Sequence, residues 1–393
     1  MKIAIAHDFL NSIGGAERVT LALSRIFPDA PIYTLFINRR IVGDFFTPLE
    51  IIPNKRFSYF TKNRFLTGFK NKKIITSSLQ KKAQFLRFRH KYLLPLMPQA
   101  VEELNFTGFD VVISSESAWM KGILTKPETL HISYCHTPTR FLWVDREKYL
   151  AQQGLGFLQS FLARRMLSKI MIWDRLAADR VDYWLANSFL TKERIRKFYK
   201  KEAEVIYPPV DTSRFNLGKT KKDYFLVISR LSPYKMVDLA VLAFNKLGLN
   251  LIIIGEGSQK KELERKAKKN IKFLGFQDDE QILRYYKECR AFVFPTFYED
   301  FGLTPVEAMA CGKPVIASGV GGSRESLEEG ETGEFFFKPS GDSLAEAVER
   351  FLKKEESFSP QKIREHALKF DRKVFESKIK NFVEEKYNEV KGN

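Results

Sequence analysis

Short apolar runs of four to eight residues alternate along the chain with longer amphipathic stretches, and that alternation predicts a parallel sheet with helices on its faces. In the second half the runs Tyr224–Ser229, Asn250–Gly255, Ile271–Leu274, Ala291–Phe294, Pro314–Ala317 and Gly333–Phe337 read as strands. Helices are predicted between them over 238–247, 259–268 and 279–287. The first half gives strands at Lys2–Ala6, Ile32–Ile37, Asp110–Ser114, Leu130–Tyr134 and Asp182–Ala186, with Gly122 near the start of a further short strand. Helices are predicted from the glycine turn to Phe27, over Ser77–Leu94 and over Lys192–Tyr199. Gly154–Trp173 has amphipathic spacing suited to covering the sheet or lying on a bilayer, and covering the sheet is the preferred reading. The run from Glu204 into Pro208-Pro209 reads as a strand leading to a hinge. The pattern then restarts, so the prediction is two doubly wound domains in tandem, 1–208 and 209–371, with a ligand cleft between the carboxyl edges of their sheets and a terminal helix over 372–393.

The segment from Phe292 to Gly322 is the most informative. Pro295 ends a buried strand because proline cannot donate to a ladder. Thr304, Pro305 and Glu307 match an N-cap, a first-turn proline and a capping-box glutamate, and Gly312 and Pro314 stop the helix. A loop at a strand's carboxyl end that feeds a helix N-terminus favours phosphate. Glu299 and Glu307, eight apart, would repel a diphosphate unless they accept hydrogen bonds from hydroxyl groups, which a nucleotide sugar supplies. Read alone, Glu307 would equally be a helix cap and Glu299 a solvated loop charge.

Other candidates lie at predicted strand ends. Gly14-Gly15 follow the first strand and let the backbone approach a ligand, or simply make the turn. No G-x-G-x-x-G is present, which argues against a nicotinamide enzyme. Arg230 and Lys235, five apart after the first strand of the second half, suit a diphosphate. His136 follows a buried strand, where it would meet a ligand or cap the strand, and Arg140 would bind an anion or pair with Asp145. No Asp-x-Asp flanked by strands and no histidine pair at ligand spacing occurs, so a metal-independent reaction with no cofactor is expected.

The stretch from Tyr298 through Ala317 resembles the glutamate-x7-glutamate motif of the retaining GT-B glycosyltransferases, the family 4 type that includes sucrose synthases and many bacterial mannosyltransferases. The resemblance implies that Glu299 contacts the donor sugar together with the backbone from Phe301 through Gly302 and Leu303 to Thr304. It gives Glu307 the ribose or sugar hydroxyls, Arg230 and Lys235 the diphosphate, and Gly14-Gly15 a place against that diphosphate. Gly275–Glu280, including Phe276, resembles the loop over the nucleotide base. His136-Thr137-Pro138-x-Arg140 followed by an aromatic and tryptophan resembles a mannosyltransferase signature, with the histidine beside the donor sugar. Asp300 stands where many members carry glycine. Together these imply a hexosyltransferase retaining configuration, with GDP-mannose as first donor, UDP-sugars next, and a glycan or polyprenyl-diphosphate-linked acceptor of surface polysaccharide synthesis. In this family the terminal helix crosses back to the first domain.

Charge adds a partner. The net charge is +18, and between Lys55 and Lys91 twelve Lys or Arg are interleaved with phenylalanines, with no acidic residue between Glu50 and Glu102. That composition suits an anionic membrane surface, or a solvated helix over a phenylalanine core. A nucleic-acid partner would explain the charge but not Glu299, Glu307 and the glycine turns, and no nucleic-acid motif accompanies it. Cys135, Cys289 and Cys311 show no metal spacing and read as reduced thiols. MKIAIAHDFL reads as a strand rather than a signal, so the expectation is a cytoplasmic enzyme, peripheral on the inner membrane face.

Overall fold

The computed structural model describes residues 1–39, 73–218 and 220–392. About half of the basic segment 55–91, residues 55–72, therefore lies outside the described residues. The chain divides into two compact domains, Met1–Tyr207 with Glu376–Asn393, and Pro208–Phe375.

The first domain holds a seven-stranded parallel sheet of β1 (Ile3–Leu10), β2 (Ile32–Ile37), β3 (Ile74–Thr76), β4 (Val111–Glu116), β5 (Leu130–Cys135), β6 (Tyr183–Ala186) and β7 (Ala203–Val205), in the order 3-2-1-4-5-6-7. The second holds six parallel strands, β8 (Phe225–Ile228), β9 (Leu251–Ile254), β10 (Ile271–Gly275), β11 (Phe292–Phe294), β12 (Val315–Ser318) and β13 (Gly333–Phe336), in the order 10-9-8-11-12-13. Both are Rossmann-like. Their apolar runs are buried on both faces, as sheets flanked by helices require.

Each strand order reverses once, between β1 and β4 and between β8 and β11. At such a reversal the two connections leave on opposite faces and open a crevice at the carboxyl ends of the strands. Arg230 and Glu299 both follow strands that border the second crevice.

Several local expectations are corrected. β1 runs to Leu10, past the predicted end at Ala6, so His7 and Asp8 are buried strand residues. The residues at Gly122 form a 3-10 turn, Met120–Gly122, not a strand. The Asp8 carboxylate accepts from the backbone N–H groups of Ser117, Ala118, Trp119 and Met120, at 2.8 to 2.9 Å, and winds that turn. The helix predicted over Ser77–Leu94 is confined to Leu79–Phe85, because Arg87 and Phe88 adopt positive φ of 49° and 57°. The chain then continues in a 3-10 segment, His90–Leu96. The terminal helix extends over Arg372–Lys391, burying Phe375, Ile379 and Phe382 but leaving Val374 37% exposed.

Candidate functional site

In the second domain the chain leaving β8 carries Arg230, turns at Pro233–Lys235, and enters the helix Val237–Leu247 through Met236, whose φ is 51°. The Arg230 guanidinium is exposed and engages no partner among the described residues. Lys235 forms an ion pair with Glu299, which the loop after β11 supplies. That loop is tied to the first by a second contact, since the buried Thr296 hydroxyl donates to the Lys235 carbonyl at 3.2 Å. Five of the sequence candidates, Arg230, Lys235, Glu299, Phe301 and Gly302, thus lie on the two loops at the strand reversal.

Glu299 is braced from behind. The N–H of Gly322 donates to the Glu299 carbonyl at 2.9 Å. A Cβ on Gly322 would lie 2.2 Å from the Asp300 carbonyl oxygen, and one on Gly321 2.9 Å from that of Glu299. Only glycines let the loop after β12 approach this closely. Gly255 and Gly257 play the same part after β9, where added Cβ atoms would lie 1.9 and 2.1 Å from the carbonyl oxygens of Ser229 and Leu231. The sequence reading passed over both glycine pairs, although Gly255-Glu256-Gly257 at a strand end is a visible turn signal.

The helix after Glu299 spans Leu303–Ala310 and starts at Gly302, whose φ is 88°. The predicted capping box is therefore corrected: Thr304 and Pro305 lie inside the first turn, and no side chain caps the helix. Pro305 is tolerated there because the first-turn N–H groups have no partner within the helix. Glu307 is not a cap. It is buried, and the Tyr286 hydroxyl donates to its Oε2 at 3.0 Å. Phe301 is buried and packs on Phe370, with ring centroids 5.5 Å apart, so its side chain faces the core.

In the first domain the reversal between β1 and β4 holds a buried hydrogen-bond chain. His136, next after β5, shares a 2.9 Å bond between its Nε2 and the Ser115 hydroxyl. The Thr20 hydroxyl lies 3.1 Å from that of Ser115 and 3.0 Å from His7 Nδ1. Thr20 belongs to the helix Gly15–Ile26, so the element that Gly14-Gly15 introduce is linked through Thr20 and Ser115 to His136. Burial first, and then the nearby charge of His7, lower the His136 pKa to about 3, so the ring is neutral at neutral pH. Gly14 is extended, not left-handed, and its N–H donates to Glu17 Oε2 at 2.8 Å. Arg140 pairs with Asp145 at 3.4 Å. His7, Thr20, Ser115 and Glu17 were not singled out from sequence.

Beneath the His136 loop lies a buried ionic cluster. Lys121 Nζ is 2.7 Å from Asp174 Oδ1 and 3.4 Å from Glu116 Oε2. Asp174 also accepts from the hydroxyls of Thr139 and Tyr199 and from the Trp143 indole, at 2.6 to 2.9 Å. Burial pulls the Lys121 ammonium down, and the two carboxylates more than offset it, leaving its pKa well above the ordinary value.

Known proteins carry the same organisation. The profile of Glycosyltransferase Family 4 matches residues 13–214, and that of Glycosyl transferases group 1 matches 209–370. An uncharacterised glycosyltransferase of Methanocaldococcus jannaschii is 30% identical over 187 residues, 46% of this chain and 53% of that protein. The D-inositol 3-phosphate glycosyltransferase of Mycolicibacterium smegmatis is 25% identical over 224 residues, 51% of this chain and 52% of that protein. The chain thus spans about half the length of these curated relatives. Among solved structures, sucrose-phosphate synthase from Thermosynechococcus elongatus gives a TM-score of 0.71 at 17% identity, covering 98% of this chain and 99% of that one. Anabaena HepE in complex with UDP-glucose gives 0.66 at 17% identity, covering 98% and 100%. At that identity the likeness shows the fold. With both of its Rossmann-like domains matched by glycosyltransferase profiles, the chain belongs to Glycosyltransferase Family 4 and has the GT-B fold.

Proposed function

We propose that the chain transfers a sugar from a nucleotide sugar with retention of configuration, and that the second domain holds the donor. The observation that carries this reading is the Lys235–Glu299 pair at the β8–β11 reversal, with Arg230 exposed on the same loop as Lys235. A diphosphate meets Arg230, Lys235 and the first-turn N–H groups of the helix at Leu303, which stabilise its departing charge. Glu299 and the backbone from Phe301 to Thr304 hold the sugar, and Glu307, fixed by Tyr286, accepts from the ribose hydroxyls. Neutral His136 supports positive charge developing on the sugar ring without repelling it. The Gly14-Gly15 turn offers backbone N–H groups to an anion in this reading, although Glu17 already takes that of Gly14.

A UDP-linked donor is the first choice. HepE was solved with UDP, with UDP and glucose and with UDP-glucose, which supports it over the GDP-mannose suggested by the His136 and Asp300 signatures. The acceptor is a glycolipid or a soluble glycan.

Calorimetric titration with UDP-glucose, UDP-N-acetylglucosamine and GDP-mannose tests both levels. Binding of a UDP-sugar by the wild type, with loss in Arg230→Ala, is the expected result. Binding of GDP-mannose alone would reverse the donor choice, and equal binding by Arg230→Ala would remove the site assignment.

A further inference from the structure

The helix Phe157–Ala177 has two unlike faces. Leu167, Ile170, Asp174 and Ala177 are buried, so one side does cover the sheet. At about 100° per residue the exposed large apolar side chains gather on the opposite side, within a stripe about 140° wide, while Met166, Met171 and Trp173 pack against the core. These are Phe157, Leu158, Phe161, Leu162, Ile172 and Leu176, with exposures of 93%, 68%, 48%, 57%, 63% and 60%. The preferred reading, a helix that covers the sheet, thus holds for one side of it, and the other side is left outward.

The charges on this stripe are all of one sign. Arg165 and Lys169 lie within it, and the Arg165 guanidinium sits 5.6 Å from the Phe161 ring centre. The one acidic residue of the helix, Asp174, is on the buried side. No helix among the described residues is long and apolar enough to cross a membrane.

We infer that this helix lies flat on an anionic lipid surface. Its apolar stripe would enter the boundary between headgroups and acyl chains, while Arg165 and Lys169 reach the phosphates on their flexible stems. A second copy of the chain is the poorer occupant, because a two-fold contact through this stripe would bring its cations against their own copies. The inference is independent of the donor reading, and it rests on a different element from residues 55–91.

Cosedimentation of the full chain with vesicles tests it, comparing phosphatidylglycerol–phosphatidylcholine mixtures with phosphatidylcholine alone. The wild type is expected to bind the anionic vesicles. Replacing Phe157, Leu158, Phe161 and Leu162 by Ser, or making Arg165→Glu with Lys169→Glu, is expected to lower partitioning by about tenfold or more, with UDP-sugar binding unchanged. Wild-type partitioning in both variants would overturn the inference, as would a wild type that ignores anionic vesicles. A shift from dimer to monomer in the serine variant with vesicle binding intact would assign the stripe to a second copy instead. A gentler probe is Leu158→Cys carrying an environment-sensitive dye, since the native cysteines are all buried. Its emission should shift to the blue on anionic vesicles, and an unmoved spectrum would count against the helix.

Discussion

The ammonium of Lys235 is ion-paired with the carboxylate of Glu299, although the two residues sit on loops that leave different strands, β8 and β11. Each neutralises the other's charge.

A diphosphate must therefore compete with Glu299 for Lys235. Glu299→Gln is expected to bind free UDP more tightly than the wild type, while turnover falls by about a hundredfold through loss of a contact worth about 2–3 kcal/mol. Lys235→Ala should weaken both. Titration calorimetry and steady-state rates separate the two, and weaker UDP binding by Glu299→Gln would show that the pair does not compete with the ligand.

The glycine brace behind Glu299 should behave as a positioning element. Gly322→Ala places a methyl 2.2 Å from the Asp300 carbonyl oxygen, so the loop has to move by more than 1 Å, about the displacement that costs a hundredfold in rate. The expected variant is folded and slow, with circular dichroism unchanged and kcat reduced.

Buried histidines give the fold an acid limb. Burial lowers the His131 pKa to about 4, and burial with the charge of His7 lowers that of His136 to about 3, against an ordinary 6.5. From pH 6.5 down towards those values the unfolded chain binds protons that the native chain does not, so stability falls with pH. Glu116 opposes this: burial raises it from 4.5 to about 7, countered by Lys121, so its contribution is present below pH 4.5 and is lost as pH rises to about 7. Replacing His131 by Asn should make the fall in unfolding free energy between pH 6.5 and 4.5 shallower by about 1 kcal/mol per pH unit. Urea denaturation at fixed pH values measures it, and an unchanged slope would mean that His131 is not held neutral.

The Lys121 cluster predicts a large stability effect away from the donor loops. Lys121→Met leaves Asp174 and Glu116 buried without their cation, which is expected to cost about 3–5 kcal/mol. A denaturant midpoint near wild type would contradict this account of the cluster.

Strand positions were legible from the sequence because a parallel sheet buried on both faces demands short apolar runs, and Ile32–Ile37 is observed with the bounds the pattern predicts. The loop after Phe294 was also legible, since Pro295 ends the strand, although it closes at Gly302 rather than at Thr304. The capping box was misread because it was judged from local spacing alone. Gly302 supplies a positive-φ start that lets the helix begin early, and Glu307 is claimed by Tyr286, twenty-one residues upstream.

His7 and Asp8 show the same limit from the other side. The predicted strand stopped before them at Ala6, yet each is kept in a buried strand by distant partners: Ser115 and Thr20 for the imidazole, and the amides of 117–120 for the carboxylate.

By itself the sequence determined two alternating strand–helix domains and the residue types offered at their strand ends, because periodicity and backbone stiffness act within a few residues. Which of those residues meet was decided only by tertiary structure. Strand order, the reach of a carboxylate to a far amide or hydroxyl, and the side a helix turns outward depend on contacts between segments that are distant along the chain.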